Sequence, residues 1–150
     1  MSFRRPRMLA AAVAITAVLS SVVIVAGGGA ATAERTVARL AGGSIVVRSA
    51  PASISDCPSG FVCLWEHINF EGRMVGYSTC STWFNLADIT FNNLASSWRN
   101  RKSVDAVIAD GANGNGDRLC LDNNSYSSSM PAGWNDQASS IRIRDDANHC

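Results

Sequence analysis

Hydrophobic residues are distributed unevenly along the chain, and this division is the first feature that the sequence shows. From Met8 to about Ala26 the chain is an apolar run without a charged residue. Beyond residue 57, short apolar groups such as Val62–Trp65 and Ile141–Ile143 alternate with stretches of Gly, Asn, Asp and Ser. Short apolar groups between turn-forming residues are typical of β-strands. The pattern therefore predicts one small all-β domain behind an apolar N-terminal segment.

The N-terminal segment has the order of a secretory signal. Arg4, Arg5 and Arg7 precede the apolar run, and Ala31 and Ala33 follow a glycine stretch with one residue between them. A basic start, an apolar centre and a small-x-small site are the three parts of a signal peptide. We predict a signal peptide over 1–33, cleavage after Ala33 and a secreted, extracellular protein. An uncleaved membrane anchor is the alternative.

Removal of 1–33 changes what the rest of the chain is expected to do. The whole chain carries a formal charge of +1, and the three arginines of the signal leave −2 on the remainder. Without a basic field, nucleic acid is not an expected partner, and no membrane contact is expected after cleavage. Residues 34–56 are rich in Ala, Ser, Gly and Arg, with one apolar patch at Ile45-Val46-Val47. We interpret 34–56 as a flexible leader or arm, 57–143 as the domain and 144–150 as a tail.

All five cysteines follow the predicted cleavage site, and their number is odd. An export signal favours disulfides, so every cysteine is a disulfide candidate. The spacing of Cys57 and Cys63, with Pro58 and Gly60 between them, suits a local bridge. The other pairings stay open, and a monomer is expected unless the odd cysteine pairs between chains. The candidates are Cys57, Cys63, Cys80, Cys120 and Cys150.

A seven-residue motif occurs twice, as residues 91–97 (Phe-Asn-Asn-Leu-Ala-Ser-Ser) and 134–140 (Trp-Asn-Asp-Gln-Ala-Ser-Ser). Four positions are identical, and the copies are 43 residues apart. Each copy leads into a predicted strand. A repeat of this length with little helical pattern predicts two copies of one small β unit.

A second motif precedes the first copy. Trp65 and Phe70 flank the stretch that ends at Gly72, between strands predicted at Val62–Trp65 and Arg73–Ser78. We expect the stretch to fold over as a hairpin, with the two aromatic rings in contact and Gly72 supplying a backbone angle that residues with a Cβ resist. The corresponding place in the second half holds Ala109, Gly114 and Gly116, so a looser hairpin is predicted there.

These residues resemble a known family. An aromatic residue, four residues, Phe-x-Gly and then Asn/Asp-Asn/Asp-x-x-Ser-Ser is similar to the Greek-key pattern of the βγ-crystallins. The opening Cys57-Pro58-Ser59-Gly60 with Cys63 resembles secreted bacterial proteins named for a metalloproteinase inhibitor of that fold. The resemblance covers about 57–143. It implies an antiparallel β-sandwich of two Greek-key motifs, about eight strands, with a short helical turn near Trp83–Asp88.

The resemblance also implies a calcium site. In calcium-binding βγ-crystallins the two motifs lie side by side and share ligands, and Ca²⁺ takes hard oxygen ligands. With one charged side chain in the set, weak binding of roughly 10⁻⁵ to 10⁻³ M is expected. The alternative is that the Asn and Ser side chains only cap turns. The implied ligands are Asn92, Asn93, Leu94 and Ser96 from the first motif, and Asn135, Asp136, Gln137 and Ser139 from the second.

Three other functions are alternatives to a calcium-stabilised module. An inhibitor of an extracellular protease needs a rigid exposed loop. The candidate loops are Asp110–Asp117 and Asn123–Gly133. The first of them is rich in Gly and Asn and is expected to be mobile. A carbohydrate or cell-wall binding module is the second alternative, with Trp83 as the exposed aromatic. Catalysis is not expected, because no His-Glu-x-x-His or Gly-x-Ser-x-Gly motif occurs. Glu66 and Glu71 could be a catalytic carboxylate pair, but they flank the predicted hairpin, where we interpret them as solvated surface residues.

Overall fold

The computed structural model describes residues 23–24, 35–40, 43–79 and 81–145. Apart from Val23–Ile24, the predicted signal peptide lies outside these residues, as do most of the predicted tail, Cys80 and Cys150. Within the described ranges, no helix combines the length and the apolar character needed to cross a membrane.

The described chain is built from short antiparallel strands and single 3₁₀ turns. Eight of the strands lie between residues 62 and 143, as the family resemblance implies. The predicted helical turn is the 3₁₀ turn Leu86–Ile89. The strands are β1 (Val23–Ile24), β2 (Arg35–Leu40), β3 (Gly43–Arg48), β4 (Val62–Trp65), β5 (Met74–Tyr77), β6 (Phe84–Asn85), β7 (Ser97–Asn100), β8 (Ala106–Ala109), β9 (Arg118–Leu121), β10 (Tyr126–Ser127) and β11 (Ser140–Ile143).

Two sheets carry the two halves of the repeat, and each half lends one strand to the other sheet. The first sheet has the order β1-β2-β3-β5-β4-β7-β10, and the second has β6-β11-β8-β9. Strands β4 to β7 form the first Greek key, yet β6 pairs with β11 in the second sheet. Strands β8 to β11 form the second key, yet β10 pairs with β7 in the first sheet. This exchange makes the predicted sandwich of two Greek-key motifs.

The main core fills the space between the sheets. Alternate residues of each strand point inward, because successive side chains of a strand lie on opposite faces. Val62 and Leu64 of β4 meet Ile108 of β8 and Ile141 of β11 there, and all four are at most 1 % exposed. Phe91, the first residue of the repeated motif, is fully buried in the same core. The motif is therefore anchored at its aromatic end.

A second, smaller core lies on the outer face of the first sheet. Cys63 and Trp65 of β4 point into it and are fully buried, together with Met74 of β5. The segment before β4 covers this face and is fixed by the predicted bridge between Cys57 and Cys63. Strand β4 is thus buried on both faces, which explains its uninterrupted apolar sequence.

The structure departs from the flexible arm expected over 34–56. Strand β3 pairs antiparallel with β5 over four residues, and Ile45 and Val46 are 3 % and 1 % exposed. Arg48 at the end of β3 forms a 3.1 Å ion pair with Asp56. The apolar patch packs on both sides of the sheet, since Ile45 enters the main core and Val46 enters the smaller one. This arrangement depends on β5, which lies about thirty residues further along the chain.

Candidate functional site

The two copies of the repeated motif lie against each other and exchange hydrogen bonds. The backbone N–H of Asn93 donates to the carbonyl of Ala138 (2.9 Å), and that of Asp136 donates to the carbonyl of Ala95 (3.0 Å). Asn93 and Asp136 both have left-handed backbone angles, with φ of 57° and 56°. Asn and Asp tolerate this conformation better than most residues, which explains their place in the motif.

Side chains of the two copies are paired in the same reciprocal way. The hydroxyl of Ser139 donates to Oδ1 of Asn93 at 2.9 Å, and the hydroxyl of Ser96 lies 3.1 Å from Oδ1 of Asp136. Both serines are buried, whereas Asn93 and Asp136 are exposed. The structure therefore brings together the third position of each motif and the sixth position of the other across the pseudo-symmetric junction.

A backbone oxygen joins the Ser96 side of this junction. The hydroxyl of Ser96 lies 2.7 Å from the carbonyl of Glu66, and its N–H donates to the carbonyl of Trp65 (2.8 Å). Glu66 O, Ser96 Oγ and Asp136 Oδ1 thus form a close group of three oxygens. No sequence signal identified Glu66 as part of this group, because a carbonyl oxygen contributes the same atom whatever the side chain.

The other predicted ligands lie around the junction. Asn92 and Asn135 are exposed at the start of their motifs, and Asn135 Nδ2 donates to Oδ2 of Asp136 (2.8 Å). Leu94 is half-buried against the main core, and Gln137 is exposed, with Nε2 donating to the carbonyl of Asn135 (3.3 Å). The ligand roles of all eight residues stay predictions.

The first hairpin has the predicted aromatic contact. Trp65 and Phe70 pack edge to face with ring centroids 5.3 Å apart, and Gly72 has a φ of 79°. The ion pair between Arg73 and Glu66 (3.0 Å) closes the hairpin from outside. Ser97 fixes its inner side, since its hydroxyl donates to the carbonyl of His67 (2.7 Å) and accepts from the N–H of Phe70 (3.2 Å).

The second hairpin keeps the backbone contacts but replaces the aromatic pair. The hydroxyl of Ser140 donates to the carbonyl of Gly111 (2.6 Å) and accepts from the N–H of Gly114 (3.0 Å), as Ser97 does in the first hairpin. The ring of Trp83 fills the space beside Gly114, where a Cβ would come within 2.1 Å of Cε2. An indole from a distant segment therefore takes the place that the hairpin's own aromatic residue fills in the first half.

The candidate inhibitory loops are both held by hydrogen bonds. The composition of 110–117 predicts a mobile loop. In the structure the backbone N–H of Asp110 donates to the carbonyl of Asp117 (3.2 Å), and the backbone N–H of Asn113 donates to Oδ1 of Asn85 (2.7 Å). The loop 123–133 accepts a bond from the N–H of Asn69 at Ser128 O (2.8 Å). Its Tyr126 is 61 % exposed and packs against Phe70 with centroids 6.1 Å apart. The loop 123–133 is the one that offers a large exposed side chain.

An acidic cluster around Cys120 does not fit a metal. Sγ of Cys120 lies 3.9 Å from Oδ2 of Asp105 and 3.8 Å from Oδ1 of Asp122, a spacing that three ligands could have. Cys120 is disulfide-bonded, so its sulfur is not a thiolate. Oδ1 of Asp105 already accepts from the N–H of Asn123 at 2.8 Å.

Comparisons with known proteins agree with this fold. The model of peptidase inhibitor family I36 matches residues 50–108. A structure solved to study the evolution of the eye lens βγ-crystallin domain fold is 22 % identical, with a TM-score of 0.55, and the match covers 66 % of this chain and 95 % of that one. No curated protein sequence matches the chain.

Two further βγ-crystallin structures are similar to the chain. The domain from Flavobacterium johnsoniae is 24 % identical with a TM-score of 0.48, and the match covers 58 % of this chain and 97 % of that one. The domain from Ciona intestinalis is 23 % identical with a TM-score of 0.47, over 56 % and 99 % of the two chains. The predicted resemblance is confirmed: the chain has a βγ-crystallin-like fold and carries the peptidase inhibitor family I36 pattern over 50–108.

Proposed function

We propose that this chain, with its βγ-crystallin-like fold and its I36 segment, is a secreted non-enzymatic module that a weakly bound calcium ion stabilises. The close group of Glu66 O, Ser96 Oγ and Asp136 Oδ1 carries this proposal. Secretion is supported by the predicted signal and by the disulfide between Cys57 and Cys63, since disulfides persist in oxidising compartments.

The hydrogen bonding at Ser96 favours a cation. The hydroxyl has one proton, yet it lies within hydrogen-bond distance of two acceptors, the carbonyl of Glu66 and the carboxylate of Asp136. Either the pair Ser96 Oγ–Glu66 O or the pair Ser96 Oγ–Asp136 Oδ1 therefore has no proton between its two oxygens. A divalent cation satisfies several oxygens at once, and Ca²⁺ accepts carboxylate, carbonyl and hydroxyl oxygens together.

The two halves of the junction are not equivalent. On the Asn93 side, the single proton of Ser139 is shared with the single acceptor Asn93 Oδ1, so this pair is satisfied by itself. The side of Asp136 carries the carboxylate and the surplus acceptors. We therefore expect one dominant calcium ion per chain, held by Asp136, Ser96 and Glu66 O, with at most a weaker ion beside Asn93.

The calcium proposal is tested by thermal unfolding of oxidised 34–150 in EDTA and in a calcium series. A ligand that binds only the folded state stabilises it by about 2.7 kcal/mol at a hundredfold excess over the dissociation constant. We expect the unfolding midpoint to rise with Ca²⁺ and not with Mg²⁺, because Mg²⁺ demands a tighter octahedral shell. No shift up to several millimolar Ca²⁺ would leave the motif with a purely structural role.

Matched variants separate the ligand from general charge effects. Asp136→Asn removes the carboxylate and keeps the shape, so it is expected to abolish the calcium-dependent shift. Asp88→Asn, at an exposed acid in the 3₁₀ turn Leu86–Ile89, makes the same charge change and is expected to keep the shift. The double variant Asn93→Ala, Asp136→Ala is expected to remove all calcium dependence. Survival of the shift in the double variant would contradict the ligand assignment.

Inhibition of a protease is the second candidate function, and the match to family I36 favours it. We propose 123–133 as the contacting loop, since it is held by the hairpin at Asn69 and presents Tyr126 to solvent. A loop held in one conformation loses little entropy on binding. An exposed aromatic residue on such a loop is the kind of side chain that dominates interface energies.

A panel of secreted metalloproteases and serine proteases tests this candidate. We expect stoichiometric loss of activity of at least one enzyme. Tyr126→Ala should raise the inhibition constant at least about tenfold, as expected for an interface aromatic. Asp117→Ala, in the other candidate loop, serves as the control and should leave inhibition unchanged. Full activity of every enzyme at equimolar protein would exclude inhibition of those proteases.

A further inference from the structure

A pocket on the outer face of the second sheet lies apart from the calcium ligands and from the loop 123–133. Its volume is about 360 Å³. Val107 of β8 is the register partner of both Arg142 of β11 and Cys120 of β9, so the three side chains lie in one row across this face. The pocket is lined by Trp83, Val107, Arg118, Cys120, Arg142 and Arg144.

Three of these six residues are arginines, although the chain carries almost no net charge. Guanidinium groups bind carboxylates through two parallel N–H···O bonds, and several around one pocket attract a compact anion. Acids lie nearby but do not line the pocket: Asp105 and Asp122 approach the sulfur of Cys120 at 3.9 and 3.8 Å, and Asp145 accepts from Ser81. The residues that line the pocket therefore offer three guanidinium groups and no carboxylate.

Arg118 is held in place before any ligand arrives. Its Nε and Nη2 donate to the carbonyl of Gly114 at 3.0 and 2.8 Å, and its guanidinium lies 5.4 Å from the centroid of the Trp83 ring. The two bonds use one edge of the planar group and leave Nη1 for another acceptor. A fixed guanidinium loses little freedom when it binds an anion, which favours affinity.

The rest of the lining is apolar. Trp83 is half-buried and contributes indole surface, and Val107 adds an aliphatic side chain beside it. A ligand that fits both parts carries an anionic group and a face of C–H groups of about the size of one ring. A sugar ring with a carboxylate has these properties, because its C–H face packs on indole while its carboxylate meets guanidinium groups.

We propose that this pocket binds an acidic saccharide, with the carboxylate of one uronic acid residue at Arg118 and Arg142 and the sugar ring against Trp83. The pocket shares no residue with the candidate calcium site, so a test of this proposal is independent of the function proposed above. It gives a definite place to the carbohydrate-binding alternative that the sequence left open.

Calorimetric titration of oxidised 34–150 with a trigalacturonate in EDTA tests the proposal. EDTA removes calcium, so failure of the calcium site does not affect the outcome. The methyl ester of the same trimer has the same shape without the charge, and inorganic sulfate supplies an anion without the ring. We expect the acid to bind at least tenfold more tightly than either of these probes.

Variants locate the binding. Arg142→Gln is expected to weaken trigalacturonate at least tenfold, and Trp83→Ala is expected to weaken it while sulfate affinity stays the same. Lys102→Gln makes the same charge change after β7, outside the pocket, and is expected to bind like the unchanged chain. Unfolding midpoints establish that each variant is folded. Absent binding, equal binding of the methyl ester or of sulfate, or undiminished binding by Arg142→Gln would overturn the proposal.

Discussion

A chain that begins at Cys57 is expected not to fold stably, whereas chains that begin at Glu34 or Gly43 are expected to unfold cooperatively. Truncation at residue 57 removes β3, and with it Ile45 from the main core and Val46 from the smaller one. It also exposes the hydrogen-bonding edge of β5. A domain of under a hundred residues has little stability to spare, so the loss of a whole strand is severe.

Thermal and denaturant unfolding of the three chains measure the free energy of unfolding that β3 contributes. Point variants in the chain that begins at Glu34 measure the contributions of single side chains. Ile45→Ala is expected to cost about 2–5 kcal/mol, the usual range for truncating a buried aliphatic side chain. Ser49→Ala, at an exposed position after β3, is expected to change stability by less than about 0.5 kcal/mol. Equal stability of the chains that begin at residues 34 and 57 would show that β3 is dispensable.

Trp65→Ala is expected to cost about 3–5 kcal/mol, the range for removing a buried large aromatic residue. Trp65 is fully buried in the smaller core, packs on Phe70 and precedes the carbonyl of Glu66 at the candidate calcium site. The variant should therefore also weaken the calcium-dependent shift in the unfolding midpoint. Both effects are read from the same unfolding series in EDTA and calcium.

Trp83→Ala is the matched control for this prediction. It also removes an indole that packs against a hairpin, here beside Gly114 of the second one, but Trp83 is half-buried and lies on the outer face of the second sheet. We expect it to lose less than half as much stability as Trp65→Ala and to keep the calcium shift. Comparable losses in the two variants would mean that the hairpins are energetically equivalent despite their different packing.

Local patterns in the sequence were enough to predict much of the sandwich. Strand β4, the contact between Trp65 and Phe70 and the left-handed angle at Gly72 follow from residues that are close in sequence. Strand β11 follows from three alternating residues after the second motif. Such features depend on side-chain periodicity and backbone preference, which a single sequence shows directly.

Features that depend on distant partners were not predicted. The patch Ile45-Val46-Val47 becomes a strand because β5 offers it an edge, and three apolar residues in a polar stretch do not identify such a partner. Trp83 fills the space beside Gly114, which lies 31 residues later in the chain. The missing aromatic pair of the second hairpin was visible in the sequence, but the residue that replaces it was not.

The candidate site shows the same division. The repeat and the family resemblance together predict that Asn93, Ser96, Asp136 and Ser139 meet, and the structure places them as two reciprocal pairs. The carbonyl of Glu66 and the resulting difference between the two sides were not predictable, because they depend on where the first hairpin brings its backbone.

The strand exchange between the two sheets has a consequence for how the chain reaches this structure. Strand β6 finds its partner β11 more than fifty residues later, and the two motifs make their hydrogen bonds to each other across forty or more residues. Such long loops must close before their contacts contribute any stability, so the folding rate should be slow, in the millisecond-to-second range of high-contact-order β proteins. Neither half supplies its own complete sheet. In a chain emerging from synthesis or export, β6 and the outer edge of β7 therefore gain protection against hydrogen exchange only after β10 and β11 have been made.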